Sequence, residues 1–172
     1  MIEITAKPLT RENFKAYGDV IEVAGAKNYP INNGKATRFH DLAAIEAAGP
    51  NARVLVSIFQ GQPYALPLQL SLVERHPFGS QAFYPLGGKP WLVIVAHDGG
   101  DGPTAPEAFL ASGNQGVNYP RNQWHGVLTP IGEPQNFIVI DRGGDGANLE
   151  EHHYDAPFSI IIPTNVLLDG AA

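Results

Sequence analysis

The stretch Leu66-Pro67-Leu68-Gln69-Leu70-Ser71-Leu72-Val73-Glu74-Arg75-His76 is where the fold can be read. Side chains alternate between the two faces of a strand. Leu66, Leu68, Leu70 and Leu72 share one face, and Glu74 and His76 continue it. Pro67, Gln69, Ser71, Val73 and Arg75 take the other face. The leucine face is predicted to pack on a core, so a carboxylate and an imidazole are aimed inward. Burying either is costly unless it is paired or bound to a metal. The alternative is that the strand surfaces after Leu72 and leaves both groups in water. Arg75 is expected outside.

Outward from this strand the pattern repeats. Further candidate strands are Arg53–Gln60, Gln81–Leu86, Trp91–His97, Ala108–Ser112, Gly116–Pro120, Trp124–Leu128, Asn136–Asp141 and Phe158–Ile162. Turn clusters such as Gly61-Gln62-Pro63 and Asp98-Gly99-Gly100-Asp101-Gly102-Pro103 separate them. Many short strands with regular turns predict an all-β sandwich or barrel. Helix signals are confined to the start. Thr10 can cap a helix running to Tyr17 and stopped by Gly18, and Asp41 to Ala48 predicts a second short one.

The chain has 172 residues, with 11 Lys and Arg, 17 Asp and Glu, six His and no Cys. One domain over 1–172 is expected, large enough for a core without staples. Lacking Cys excludes disulfides, Cys-ligated zinc, iron–sulfur clusters and a thiol nucleophile. The net charge of −6 argues against phosphate-driven nucleic-acid binding and against an anionic membrane surface. The longest apolar run, Trp91 to Ala96, is far short of a membrane span, and Met1-Ile2-Glu3-Ile4-Thr5 does not resemble a secretory signal. A cytoplasmic protein is the expectation. Gly87-Gly88 and Gly143-Gly144 lack the strand–turn–helix setting of a phosphate loop, and no Gly-x-Ser-x-Gly element points to a serine hydrolase.

A second imidazole belongs with the first strand. His125 stands between Trp124 and Gly126, entering another candidate strand. Alone it reads as a structural histidine. Together with Glu74 and His76 on a neighbouring strand it forms a set of two histidines and one carboxylate, which suits a divalent first-row metal with open positions.

Architecture and spacing resemble the cupin superfamily. Glu74 and His76 fill its paired strand-ligand positions, and Pro77-Phe78-Gly79-Ser80 is its turn. Gln81 stands where its acidic ligand would be, and Gly116, Pro120 and His125 match its second motif. Glu replaces the first His and Gln replaces the acid. The wording is closer still to the ureidoglycolate lyase family. The resemblance is carried by Glu74-Arg75-His76-Pro77-Phe78-Gly79-Ser80-Gln81-Ala82-Phe83-Tyr84-Pro85-Leu86 and by Gly116-Val117-Asn118-Tyr119-Pro120-Arg121-Asn122-Gln123-Trp124-His125. Ile140-Asp141-Arg142-Gly143-Gly144 and Arg38-Phe39-His40-Asp41-Leu42 extend it. It implies a cupin-like double-stranded β-helix barrel (a jelly roll) with a few short N-terminal helices. It also implies a homodimer, a divalent metal such as Ni2+, and splitting of ureidoglycolate into glyoxylate and urea in allantoin catabolism.

That elimination needs a base for the hydroxyl proton and an acid for the departing nitrogen. Glu74, His76 and His125 are the candidates for catalysis. The candidate metal ligands are Glu74, His76, Gln81 and His125. Without a metal, Glu74 and His125 become the base and acid candidates. Arg38 and Arg121 are candidates for the substrate carboxylate, with a surface charge or ion pair as the alternative for each. Ser80 could donate a hydrogen bond or be a turn residue. His40 could shuttle a proton or merely neighbour Asp41. His97, His152 and His153 are expected at the surface. Rival functions are an amidohydrolase releasing ammonia from the same substrate, a non-catalytic cupin binding a small hydroxy acid, and a sugar isomerase.

Overall fold

The computed structural model describes residues 2–163, so the ends of the expected 1–172 domain lie outside the described residues. In chain order the strands begin with β1 (Ile2–Thr5), β2 (Lys7–Pro8), β3 (Asp19–Ile21), β4 (Asn28–Ile31) and β5 (Ala36–Phe39). They continue with β6 (Arg53–Gly61), β7 (Leu68–Arg75), β8 (Gln81–Pro85), β9 (Trp91–Ala96) and β10 (Glu107–Ala111). The last five are β11 (Gly116–Tyr119), β12 (Trp124–His125), β13 (Thr129–Pro130), β14 (Gln135–Gly143) and β15 (Glu150–Ile161). The all-β, cupin-like expectation is met.

One sheet runs β1-β15-β7-β12-β9-β10-β2, with β13 beside β9; the other runs β3-β11-β8-β14-β6. Between them lies a core rich in aromatics, including Phe14, Phe83, Trp91, Phe109, Tyr119 and Phe137. The larger sheet has a second core on its other face, built from Leu68, Leu70, Val73, Leu92, Ile94, Trp124, Phe158 and Ile160. β9 is buried on both faces, because Val93 and Val95 enter the first core while Leu92 and Ile94 enter the second. The N-terminal segment closes the larger sheet. β1 lies parallel to β15, β2 lies parallel to β10, and only Ala6 separates them.

The strand that decided the reading departs from simple alternation. Leu68 and Leu70 share the second core with Val73, although Val73 has the opposite parity. The partner strand explains the slip. Register with β15 passes from Leu72 opposite His153 to Leu70 opposite Phe158, a bulge of several residues. An irregularity of this kind turns side chains to the other face. Glu74 does reach the inter-sheet side, but Leu68 and Leu70 do not share its face.

Thr10 caps the first helix as expected, yet the helix is only Arg11–Phe14. The helix expected over 41–48 is absent. Its backbone is engaged by the sheets instead: Asp19 accepts from Ala44 N–H, Asn118 donates to Ala44 O, and Ser80 N–H donates to Glu46 O. The five strands before Asn51 were not expected. The strand expected over 124–128 is regular only through His125.

Candidate functional site

Two facing rows of side chains build one end of the sandwich. On the larger sheet, register places Glu151 opposite Glu74, Glu74 opposite His125, and His125 opposite Val95. On the smaller sheet Tyr119 stands opposite Gln81 and Asp141 opposite Leu55. The pairing of Ile140 with Ala82 brings Asp141 beside Gln81. Phe137 and Val139 fill the first core, and Asp141 continues their inward face at the end of β14. His76 follows β7 directly and enters between the rows.

Glu74, His76 and His125 each present one ligand atom, all within 4.8 Å of one another. His125 is 2 % exposed. Its Nδ1–H donates to Gly126 O at 3.1 Å, and among the described residues its buried Nε2 has no hydrogen-bond partner. Burial above all, with the charge of His76, pushes its pKa down to about 3, so at neutral pH it is an uncharged lone-pair donor. His76 Nδ1–H donates to Asn148 O at 2.7 Å, which leaves Nε2 facing Gln81 Oε1 at 3.2 Å and Glu74 Oε1 at 3.8 Å.

In the neutral tautomer these are electron-pair donors turned toward each other. Two imidazole nitrogens, a carboxylate and an amide oxygen around one point, one of them orphaned and buried, fit a divalent cation. Burial raises the pKa of Glu74, with the charge of Glu151 adding to this and His76 opposing it. Asp141 is raised by burial as well, with Gln81 and His76 opposing, and among the described residues its buried Oδ1 has no partner.

The other expected residues are placed as follows. Gln81 is in the site. Arg121 lies at its edge, with its Nε donating to Pro77 O at 2.9 Å. The Ser80 hydroxyl is engaged with the Glu46 backbone, accepting from its N–H at 2.8 Å. Arg38 and His40 belong to the β4–β5 hairpin, a separate two-stranded sheet, where His40 N–H donates to Lys27 O and its ring lies near Tyr29. Among the described residues, no hydrogen bond or ion pair links either to the Glu74 cluster.

Arg75 is outside, as expected. It pairs with Asp98 and Glu150 and lies over Trp124 on the opposite face. The sequence reading missed Asp141 and Tyr119. For Asp141 the signal was available, since Phe137, Val139 and Asp141 fall on one face by strand alternation.

A cupin-like sandwich with a two-histidine, one-carboxylate cluster between its sheets is the class of protein this geometry defines. Comparison with known proteins gives the family. The family described as ureidoglycolate lyase matches residues 1–161. A ureidoglycolate lyase of Mesorhizobium japonicum is 61% identical over 163 residues, covering 95% of this chain and 100% of that one. One from Chelativorans sp. is 58% identical, covering 95% of this chain and 99% of that one. A third, ureidoglycolate lyase 2 of Rhizobium meliloti, is 53% identical, covering 93% and 98%. The chain belongs to the ureidoglycolate lyase family.

Proposed function

We propose that this lyase splits ureidoglycolate into glyoxylate and urea, as a step of allantoin breakdown, at the cluster of Glu74, His76 and His125. The observation that carries the site is the orphaned Nε2 of His125 beside a carboxylate and a second imidazole. Glu74, His76, Gln81 and His125 would hold a divalent ion, and the family resemblance implies nickel. When bound, such an ion acidifies an α-hydroxyl group and orients a hydroxy acid.

The chain's own groups do the rest. Glu74 takes the proton from the substrate hydroxyl. The C–O bond becomes C=O, the C–N bond breaks, and the proton that Glu74 has taken passes on to the departing nitrogen, which returns Glu74 to its carboxylate form. A carboxylate whose pKa is raised by burial is a better base than an exposed one. His125 cannot supply the proton to nitrogen at neutral pH, because its Nε2 is unprotonated and its Nδ1–H is tied to Gly126. Its role is that of a ligand. Arg121 supplies a guanidinium for the substrate carboxylate, its Nε fixed on Pro77 so that the Nη groups remain for a bidentate contact.

A homodimer, a cytoplasmic location and one domain over 1–172 complete the proposal. The open edge of β6, with Val54, Val56 and Ile58 exposed, supports pairing of copies. The test is to incubate pure protein with racemic ureidoglycolate, with and without chelator, and assay urea, ammonia and glyoxylate separately. Urea and glyoxylate in equal amounts, lost on chelation, are expected. Ammonia in place of urea would establish an amidohydrolase instead.

A further inference from the structure

The loop from Gly144 to Leu149 joins the smaller sheet to the larger one, leaving β14 just after Asp141 and entering β15 just before Glu151. It therefore crosses the end of the sandwich where the two rows face each other. Three sets of contacts fix it. Arg142, 7 % exposed, donates through Nη2 to Asp145 O at 2.7 Å and to Pro50 O at 3.2 Å, and through Nε to Ala48 O at 3.0 Å. Asn51 donates to the Asp145 carboxylate at 2.6 Å. At the far end Asn148 makes two contacts with the turn that carries His76. Its side-chain Oδ1 accepts from Phe78 N–H at 2.7 Å, and its backbone carbonyl accepts from His76 Nδ1–H at 2.7 Å.

We propose that Asn148 is a positioning residue for the site: by clamping its own backbone to the Phe78 turn, it holds the carbonyl that fixes the tautomer and ring direction of His76. The inference rests on the reading of the Glu74–His76–His125 cluster as the site. A carbonyl on Nδ1–H leaves the lone pair on Nε2, the atom that faces Glu74 and Gln81. Partners of this kind behind a metal-binding imidazole are typically worth roughly ten- to hundredfold in affinity or activity. The side-chain bond to Phe78 N–H spans only two residues beyond His76, so the pair of bonds makes a closed clamp on the ligand-bearing turn. Arg142 holds the other end of the loop, and among the described residues its hydrogen bonds go to Ala48, Pro50 and Asp145 and none to the cluster.

The test compares Asn148→Ala with Asn148→Asp, which keeps an acceptor oxygen at the same position. The first readout needs neither metal nor substrate: long-range proton–nitrogen correlations of the His76 ring in chelator-treated protein, assigned with His76→Gln. The parent is expected to show a single Nδ1–H tautomer. Asn148→Ala is expected to show mixed tautomers and to bind Ni2+ at least roughly tenfold more weakly, with an unchanged circular dichroism spectrum. Asn148→Asp is expected to restore both. Parent-like tautomer and affinity in Asn148→Ala would overturn the proposal. So would an Asn148→Asp variant as impaired as the alanine, since then the oxygen is not what matters. Because the tautomer is read without turnover, a protein that fails to release urea would count against the proposed reaction and leave this result separate.

Discussion

The rings of Tyr119 and His125 lie stacked face to face, centroids 4.3 Å apart and planes 1° from parallel. The stack sets the plane of His125, and the bond from Nδ1–H to Gly126 O sets its rotation within that plane. Together they determine where the unpartnered Nε2 points. Tyr119 contributes a second constraint, because burial and then the charge of Glu74 raise its pKa, so its hydroxyl stays protonated near a carboxylate.

Tyr119→Phe keeps the ring and is expected to bind Ni2+ within about threefold of the parent, whereas Tyr119→Leu removes the stack and is expected to lose roughly tenfold or more. Calorimetric titration checks both, with thermal melts to separate loss of packing from loss of orientation. Equal affinity in the leucine variant would show that Gly126 alone orients the ring.

Acid sensitivity follows from His125. Its ordinary pKa is near 6.5 and its folded value is about 3. Between those values the unfolded chain binds a proton that the folded chain refuses, so this contribution is present above the unfolded value and is lost as pH falls toward the folded one. Glu74 and Asp141, both raised, act in the opposite sense. The His125 contribution is isolated by comparing parent with His125→Gln in chelator-treated protein. The urea midpoint of the parent is expected to fall more steeply than that of the variant between about pH 6.5 and about pH 4.5. Parallel curves would mean that His125 titrates normally.

Much of the site was legible because it is local. Glu74 and His76 sit on one strand two residues apart, and His125 lies in a short aromatic and glycine context that names its own turn. Asp141 was equally legible, since the face of Phe137 and Val139 continues to it at the end of the candidate strand Asn136–Asp141. Asn148 was not legible, because its contacts with His76 and Phe78 span about seventy residues of sequence and depend on how a loop crosses the sandwich. The face of Leu68 and Leu70 was misjudged because a bulge in β15, far along the chain, slips the register. The helix expected over 41–48 failed for a related reason: Asp19, Ser80 and Asn118 satisfy backbone groups that a helix would otherwise satisfy itself. β1 and β2, four and two residues long, are strands only because β15 and β10 pair with them.

The proposed homodimer is testable at β6, whose second edge has no strand partner among the described residues. A long apolar edge is a template for another strand. Antiparallel pairing of two copies centred on Ser57 would set Val56 of one opposite Ile58 of the other, and Leu55 opposite Phe59. Light scattering of Val56→Asp is expected to give a monomer. Ser57→Cys is expected to form a linked dimer on mild oxidation, the native chain having no cysteine to compete. A Val56→Asp protein that remains dimeric would place the interface elsewhere.

Glu74 separates stability from function. Its pKa is raised because burial disfavours the charged form, an effect that outweighs the attraction of His76. A raised carboxylate contributes stability below its unfolded pKa and loses it as pH rises through the folded value, so at neutral pH the charge is a cost. Glu74→Gln keeps the size and removes the charge. In chelator-treated protein at neutral pH it is therefore expected to melt at a higher temperature than the parent. Its affinity for Ni2+ is expected to fall, since the single anionic donor of the proposed four-ligand set is gone. If Glu74 also takes the hydroxyl proton, turnover should drop by about 10²–10⁴-fold even at saturating metal, the usual range for losing a general base. The three readouts are a thermal melt, a metal titration and a urea assay. A variant that melts lower than the parent would show that Glu74 is held by contacts stabilising its charge. A chelated variant that still releases urea within a factor of a few of the untreated parent would remove both the ligand and the base role, and the cluster would then be structural.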